Sequence, residues 1–159
     1  MSCDIPVPSW IFNIKNDILR REFINVWKRL PDYIRPALMI DTPGVHLVDD
    51  QDTVAKARVA GDPDTGQTVL HMLFRRDLLD DPPAVIRASI SHELAHVYLR
   101  HLDHRLRDKY HDLPPEVAEY FEWHANFVAR HLFWFDDDYQ ARNVYLAEHP
   151  ELDEVRHGA

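Results

Sequence analysis

Cysteine is nearly absent. Cys3 is the only one, so no internal disulfide can form and the fold must rest on its core. Glycine is scarce, with four in 159 residues, which excludes a collagen-like or glycine-rich chain. No apolar run approaches the roughly 18 residues of a membrane-spanning helix. Positive charge is in deficit: 18 Lys and Arg stand against 27 Asp and Glu, a net charge of −9. Nucleic acid repels such a surface unless a local patch overrides it. The densest basic stretch, Arg100 to Lys109, itself carries Asp103 and Asp108, so no nucleic-acid partner is expected. The opening residues, Met1-Ser2-Cys3-Asp4-Ile5-Pro6, lack a basic segment leading into an apolar one. With the single cysteine, this sets the expectation of a cytoplasmic protein with no membrane partner.

What is present is globular. Hydrophobic residues make up 45% and aromatic residues 11%. A chain of this length forms one domain and buries about two-thirds of its unfolded surface. Eleven histidines occur, and seven lie between His92 and His131. Clustering alone does not separate metal ligands from exposed histidines.

Ser9 is expected to cap a helix from Trp10 to about Leu30, on the three- and four-residue spacing of Ile11, Ile14, Ile18, Leu19, Phe23, Val26 and Leu30. Short extended pieces are expected at Ala37 to Ile40 and at Val45 to Val48. Thr53 to Ala60 and Gln67 to Phe74 flank a strong turn signal, Gly61 to Gly66, and read as a hairpin. Asp80-Asp81-Pro82-Pro83 opens a helix running to about His101, apolar around much of its circumference and therefore central. His101 to Asp112 reads as a polar loop. A third helix is expected from Pro114 to about Phe133 and a shorter one near Tyr139 to Ala147. Trp123, Phe127, Phe133, Trp134 and Phe135 read as core. Asp136-Asp137-Asp138 reads as a solvated cap or loop.

The chemistry lies on the central helix, in His92-Glu93-Leu94-Ala95-His96. Residues four apart share a helix face, with Cβ atoms roughly 5–6 Å apart. Two imidazoles so spaced can bind one Zn²⁺ at about 2.0–2.1 Å each. Glu93, one step round the helix, misses the ion but can reach a water held on it. A shuffled chain of this composition contains some such motif about 4% of the time, so the setting decides. Burying two histidines and a glutamate in an apolar helix without partners costs several kcal/mol, and a metal satisfies all three. A third ligand is then needed, and the next helix offers Glu119, Glu122, His124 and Asn126. Glu119, Glu122 and Asn126 share one face, beside Ala125 and Ala129, while His124 points about 200° away from Glu122.

With Glu122-Trp123-His124-Ala125-Asn126 downstream, the pattern resembles the gluzincins, which pair HExxH with a later glutamate. Within that clan it is most similar to the ImmA/IrrE-type metallopeptidases, over Thr68 to Phe133. The resemblance implies an α+β, zincin-like fold: a small twisted sheet packed on the central helix, with a second ligand-bearing helix. It implies that His92, His96 and Glu122 bind zinc, that Glu93 is the catalytic base, and that Asn126 sits behind a histidine ligand; Glu119, on the same helix face, is expected near it. His124 stands where a glutamate is common in that family, and Leu132-Phe133-Trp134-Phe135 replaces its usual ending. The implied activity is that of a zinc-dependent endopeptidase, in which zinc-activated water cleaves the peptide bond with Glu93 as general base and then acid. A zinc-binding regulatory module without protease activity is the alternative. The substrate would be a protein or peptide, and a −9 chain favours basic ones.

His71 reads as a satisfied strand histidine, and His101, His104, His111 and His131 as solvated. Tyr98, Tyr110 and Tyr120 compete to assist the reacting carbonyl. The expected boundaries are a domain over residues 1–135 and an acidic C-terminal extension over 136–159, with seven acidic residues against two basic. Gln67 to Phe74 is expected as an exposed edge strand bordering the cleft, which that extension could cover.

Overall fold

The computed structural model describes residues 5–39, 44–49, 55–61, 68–99 and 115–152. The chain begins with two helices where one was expected: α1 (Ser9–Phe12) and α2 (Asp17–Arg29). Asn16 causes the break. Its Oδ1 accepts from Leu19 N at 2.9 Å and starts α2 afresh. Ser9 is the first residue of α1 and makes no cap, because Pro8 holds the cap position. The apolar spacing runs across the corner because Ile11, Ile14 and Leu19 all reach the core. Ile18 does not, and stays exposed. Trp10 packs edge-on against Phe23 and Trp27, and Phe23 against Phe74 of the sheet.

Residues Arg35–Leu38 form a 3₁₀ turn, not the extended piece expected from Ala37. Pro36 suits a first turn, where its missing N–H costs nothing, and Leu38 is fully buried. Three strands follow: β1 (Gly44–Val48), β2 (Ala55–Gly61) and β3 (Thr68–Arg75). Their order is β1-β3-β2. The hairpin pairs β2 antiparallel to β3, with Ala57 opposite Met72, and β1 joins β3 in parallel, with Val45 opposite Met72. The turn residues 62–67 lie outside the described residues. The strand expected as an edge is therefore the centre of the sheet. Leu70, Met72 and Phe74 alternate onto its buried face, and β1 and β2 are the edges among the described strands.

After a 3₁₀ turn at Arg76–Asp80 comes α3 (Pro83–Tyr98), with Pro82 at the cap position. It packs against α2 and beside β2. Ten of its residues are buried, including Ile86, Ile90 and Leu94, as its all-round apolar sequence requires. It ends at Tyr98, short of His101; the loop expected from His101 to Asp112 lies outside the described residues.

The third expected helix is α4 (Pro115–Phe127), which runs into a wide π-turn at Val128–Leu132. There Phe133 N bonds Val128 O, five residues back, at 2.9 Å. Trp134 then takes the left-handed conformation, with φ 68°, and the chain reverses into α5 (Asp136–Glu148). Of the aromatics expected in the core, Phe133 and Phe135 are fully buried, whereas Trp123, Phe127 and Trp134 are exposed. Trp123 and Phe127 stack on each other along the outer face of α4.

The acidic extension expected from Asp136 is, as far as Glu148, a helix packed on α3. It does not lie along a strand. Asp136, Asp137 and Asp138 form its first turn, where the helix dipole favours them. Asp138 is buried, not solvated, and receives Arg29 at 2.7 Å and Arg87 at 3.0 Å. Arg87 also holds the buried Glu22 at 3.0 Å, so one arginine on α3 ties α2 to α5. The architecture is α+β. No helix among the described residues is long and apolar enough to cross a membrane.

Candidate metal centre

One helical turn separates His92 from His96 on α3, and both side chains project to the same side, where α4 crosses. Ala125 of α4 and Ala129 of the π-turn that follows it are fully buried and let the chain approach α3 closely. Glu122, on the same face of α4, meets both histidines. Its Oε2 lies 2.9 Å from His92 Nε2 and its Oε1 lies 3.1 Å from His96 Nε2. The two Nε2 atoms are 3.1 Å apart. Ligands about 2.0–2.1 Å from a tetrahedral ion stand roughly 3.3 Å from one another, so the three groups are spaced as a metal needs them. His92, His96 and Glu122 are the His/Cys/Asp/Glu group able to hold a metal ion among the described residues. Two imidazoles and a carboxylate, one fewer ligand than a closed tetrahedral site, fit a zinc that keeps a position open.

Burial opposes ionisation of Glu122, but its hydrogen bonds and charge attraction with His92 and His96 outweigh it. They hold the carboxyl well below the usual range. Glu93, beside His92, is buried to 3% exposure in the same region.

Tyr139 of α5 completes the arrangement from behind. Its hydroxyl is 3.2 Å from His92 Nδ1 and donates to Asn126 Oδ1 at 3.1 Å. With the hydroxyl proton committed to Asn126, the oxygen is an acceptor for His92 Nδ1–H; a neutral His92 held in that tautomer would turn its Nε2 lone pair to an ion shared with Glu122 and His96, in place of the Nε2–H contact to Glu122. Burial, reinforced by the Glu93 and Glu122 charges and only partly offset by Arg142 and Arg130, raises the phenol well above its ordinary value. The proton needed for this relay therefore stays in place.

Asn126 thus stands behind a histidine, but through Tyr139. Sequence reading missed Tyr139. It sits 47 residues from His92, and no local spacing marks it. Glu119 is exposed and outside the cluster, one turn (about 5 Å) further along α4. His124 points away, against Tyr120 and Trp123. His71 is on the sheet, stacked on His46 with their ring nitrogens 3.0 Å apart. Gly44 makes room for that pair, since a Cβ there would fall 2.7 Å from His46 Nε2. Tyr98 packs on Phe133, and Tyr120 is exposed on the outer face of α4. His131 is exposed against Phe127, while His101, His104, Tyr110 and His111 lie outside the described residues. No family model, no curated protein and no solved structure matches the chain.

Proposed function

We infer that this chain is a zinc-dependent endopeptidase with a zincin-like fold, akin to the ImmA/IrrE-type metallopeptidases, acting in the cytoplasm. The observation that carries the reading is the convergence of His92, His96 and Glu122 within 4.8 Å, with the buried Glu93 beside them. A zinc held by those three residues supplies Lewis acidity at the scissile carbonyl and acidifies water. Glu93 takes the proton from the attacking water and delivers it to the leaving amine. Tyr139 and Asn126 keep His92 in the tautomer that presents Nε2. A purely structural zinc site has no use for an acid next to its first ligand, which favours catalysis over a binding module.

Substrate docking moves to a different strand from the one expected. Among the described strands β2 is an edge, and it packs beside α3, so it is the strand to which an extended peptide would add. The net charge of −9 favours basic substrates.

The test has two arms. Zinc content by elemental analysis should be one per chain, lost in His96→Ala and in Glu122→Ala, and kept in Glu93→Gln. A proteome-wide cleavage comparison of zinc-loaded wild type with Glu93→Gln should then show cleavages only in the wild type. Zinc bound without any cleavage by the wild type selects the binding module instead, and undiminished zinc in His96→Ala rejects the site.

A further inference from the structure

Large apolar side chains that stay in water are normally scattered, yet the outer face of α4 lines them up. Tyr120, Trp123 and Phe127 are 55%, 58% and 50% exposed. Ring centroids lie 6.0 Å apart from Tyr120 to Trp123, 5.6 Å from Trp123 to Phe127, and 5.0 Å from Phe127 to the exposed His131. The steps of three and four residues are those of a seam by which one helix packs along another. The wide turn at Val128–Leu132 shifts the phase by one residue, so the ladder continues at His131, while Arg130 turns to Asp136 at 2.7 Å.

The two ends of the ladder are polar and differ in chemistry. Glu116, one turn before Tyr120 on the same face, is an exposed acceptor at one end, and His131 is a donor at the other. Two parallel copies would set carboxylate against carboxylate. Two antiparallel copies, related by a two-fold axis between Trp123 and His124, set Glu116 opposite His131 and Tyr120 opposite Phe127, with Trp123 beside its own counterpart. A single register therefore matches the polar ends and the aromatic centre together, as a self-complementary contact requires.

We propose that the outer face of α4 is a self-association surface whose occupant is the same face of a second copy of this chain, packed antiparallel. Glu122 projects to the α3 side of the helix, so the pairing does not rest on the metal reading. Glu116 to His131 spans about 23 Å of helix. One helix pair of that length covers less than the roughly 800 Å² per partner of a standard interface, so the dimer is weak, with a Kd of about 10–300 μM.

Sedimentation equilibrium of the full chain from about 5 μM to about 1 mM reads this directly. Chelator is present, so that no shared ion bridges two copies. The weight-average mass should rise with concentration from one chain towards two and stop there. Trp123→Glu, at the centre of the seam, should weaken association about tenfold or more. Glu116→Lys and His131→Glu should each weaken it about threefold or more, and the combined variant, which exchanges the two ends, should return to within about twofold of the wild type. Tyr33→Glu, exposed and off the ladder, should associate as the wild type does. All these positions are exposed, so the fold is spared. The proposal is overturned by a mass that stays at one chain up to 1 mM or grows past two, by Trp123→Glu associating normally, by a combined variant no better than either parent, or by an equal loss in Tyr33→Glu. A single-chain protein that instead co-sediments with phosphatidylcholine vesicles, and loses this in Trp123→Glu, would give the face to a lipid surface and overturn the proposal as well.

Discussion

Removing one oxygen, in Tyr139→Phe, tests how the metal centre is held. The ring stays: it is 4% exposed, with the Arg142 guanidinium 5.3 Å from its centroid. Only the hydroxyl goes, and with it the contacts at 3.2 Å to His92 Nδ1 and 3.1 Å to Asn126 Oδ1. Leaving buried polar atoms unpaired costs about 1–3 kcal/mol. For a chain of this length that lowers Tm by roughly 2–12 °C. The larger signature is in the metal. A histidine ligand that loses the partner fixing its tautomer typically loses 10–100-fold in metal affinity, about 1.4–2.7 kcal/mol. Competition against a chromophoric chelator measures this directly. Asn126→Ala added to Tyr139→Phe should weaken zinc little further, because the relay is already broken at its first link. A zinc affinity within about twofold of wild type, alongside a lowered Tm, would show that the hydroxyl only packs the core, and the relay argument would fail.

Arg87→Met leaves Glu22 and Asp138 buried without their shared cation. Because Arg21, Asn25 and Arg29 still reach them, the expected loss is about 2–3 kcal/mol in urea denaturation, below that of an isolated buried pair, and a change under about 0.5 kcal/mol would contradict the bridge. Burial raises the pKa of Glu22, but Asn25, Arg21 and Arg87 outweigh it and hold the group below its ordinary 4.5. A depressed pKa contributes stability that is full above 4.5 and is lost as pH falls through the folded-state value. Unfolding free energy should therefore decline on acidification below that pH, and decline less steeply in Arg87→Met. Glu119→Ala, at an exposed position off the cluster, should keep zinc and stay within about 0.5 kcal/mol of wild-type stability; loss of zinc there would reassign the ligand.

Local features of this fold can be read from sequence, and the long-range ones cannot. The prolines that open α3, its all-round apolar character and the four-residue step from His92 to His96 depend only on helix geometry. Glu122 is one of several candidates by spacing, and the crossing of α4 over α3 is what brings it, and not Glu119, to both imidazoles. The break at Asn16 escapes because the apolar spacing continues across it. The place of β3 escapes because hairpin signals cannot show that β1, from earlier in the chain, adds to its free side. Trp123 and Phe127 are as apolar as Phe133, and only the path of α4 decides which of them meets solvent. Asp138 looks like a solvated cap until Arg29 and Arg87 arrive from α2 and α3. Tyr139 has no mark in the sequence at all.

The wide turn at Val128–Leu132 sets the angular phase of everything after it. A single deletion there would rewind the helix and rotate the following residues by about 100°. Tyr139 would swing off His92, and Asp138 off Arg29 and Arg87, although no residue in either contact had changed. The segment is therefore sensitive to chain length more than to residue type. Substitutions that keep Val128 and Ala129 apolar and of similar size should be absorbed, while a gain or loss of one residue would leave Glu122 in place and detach the support behind it.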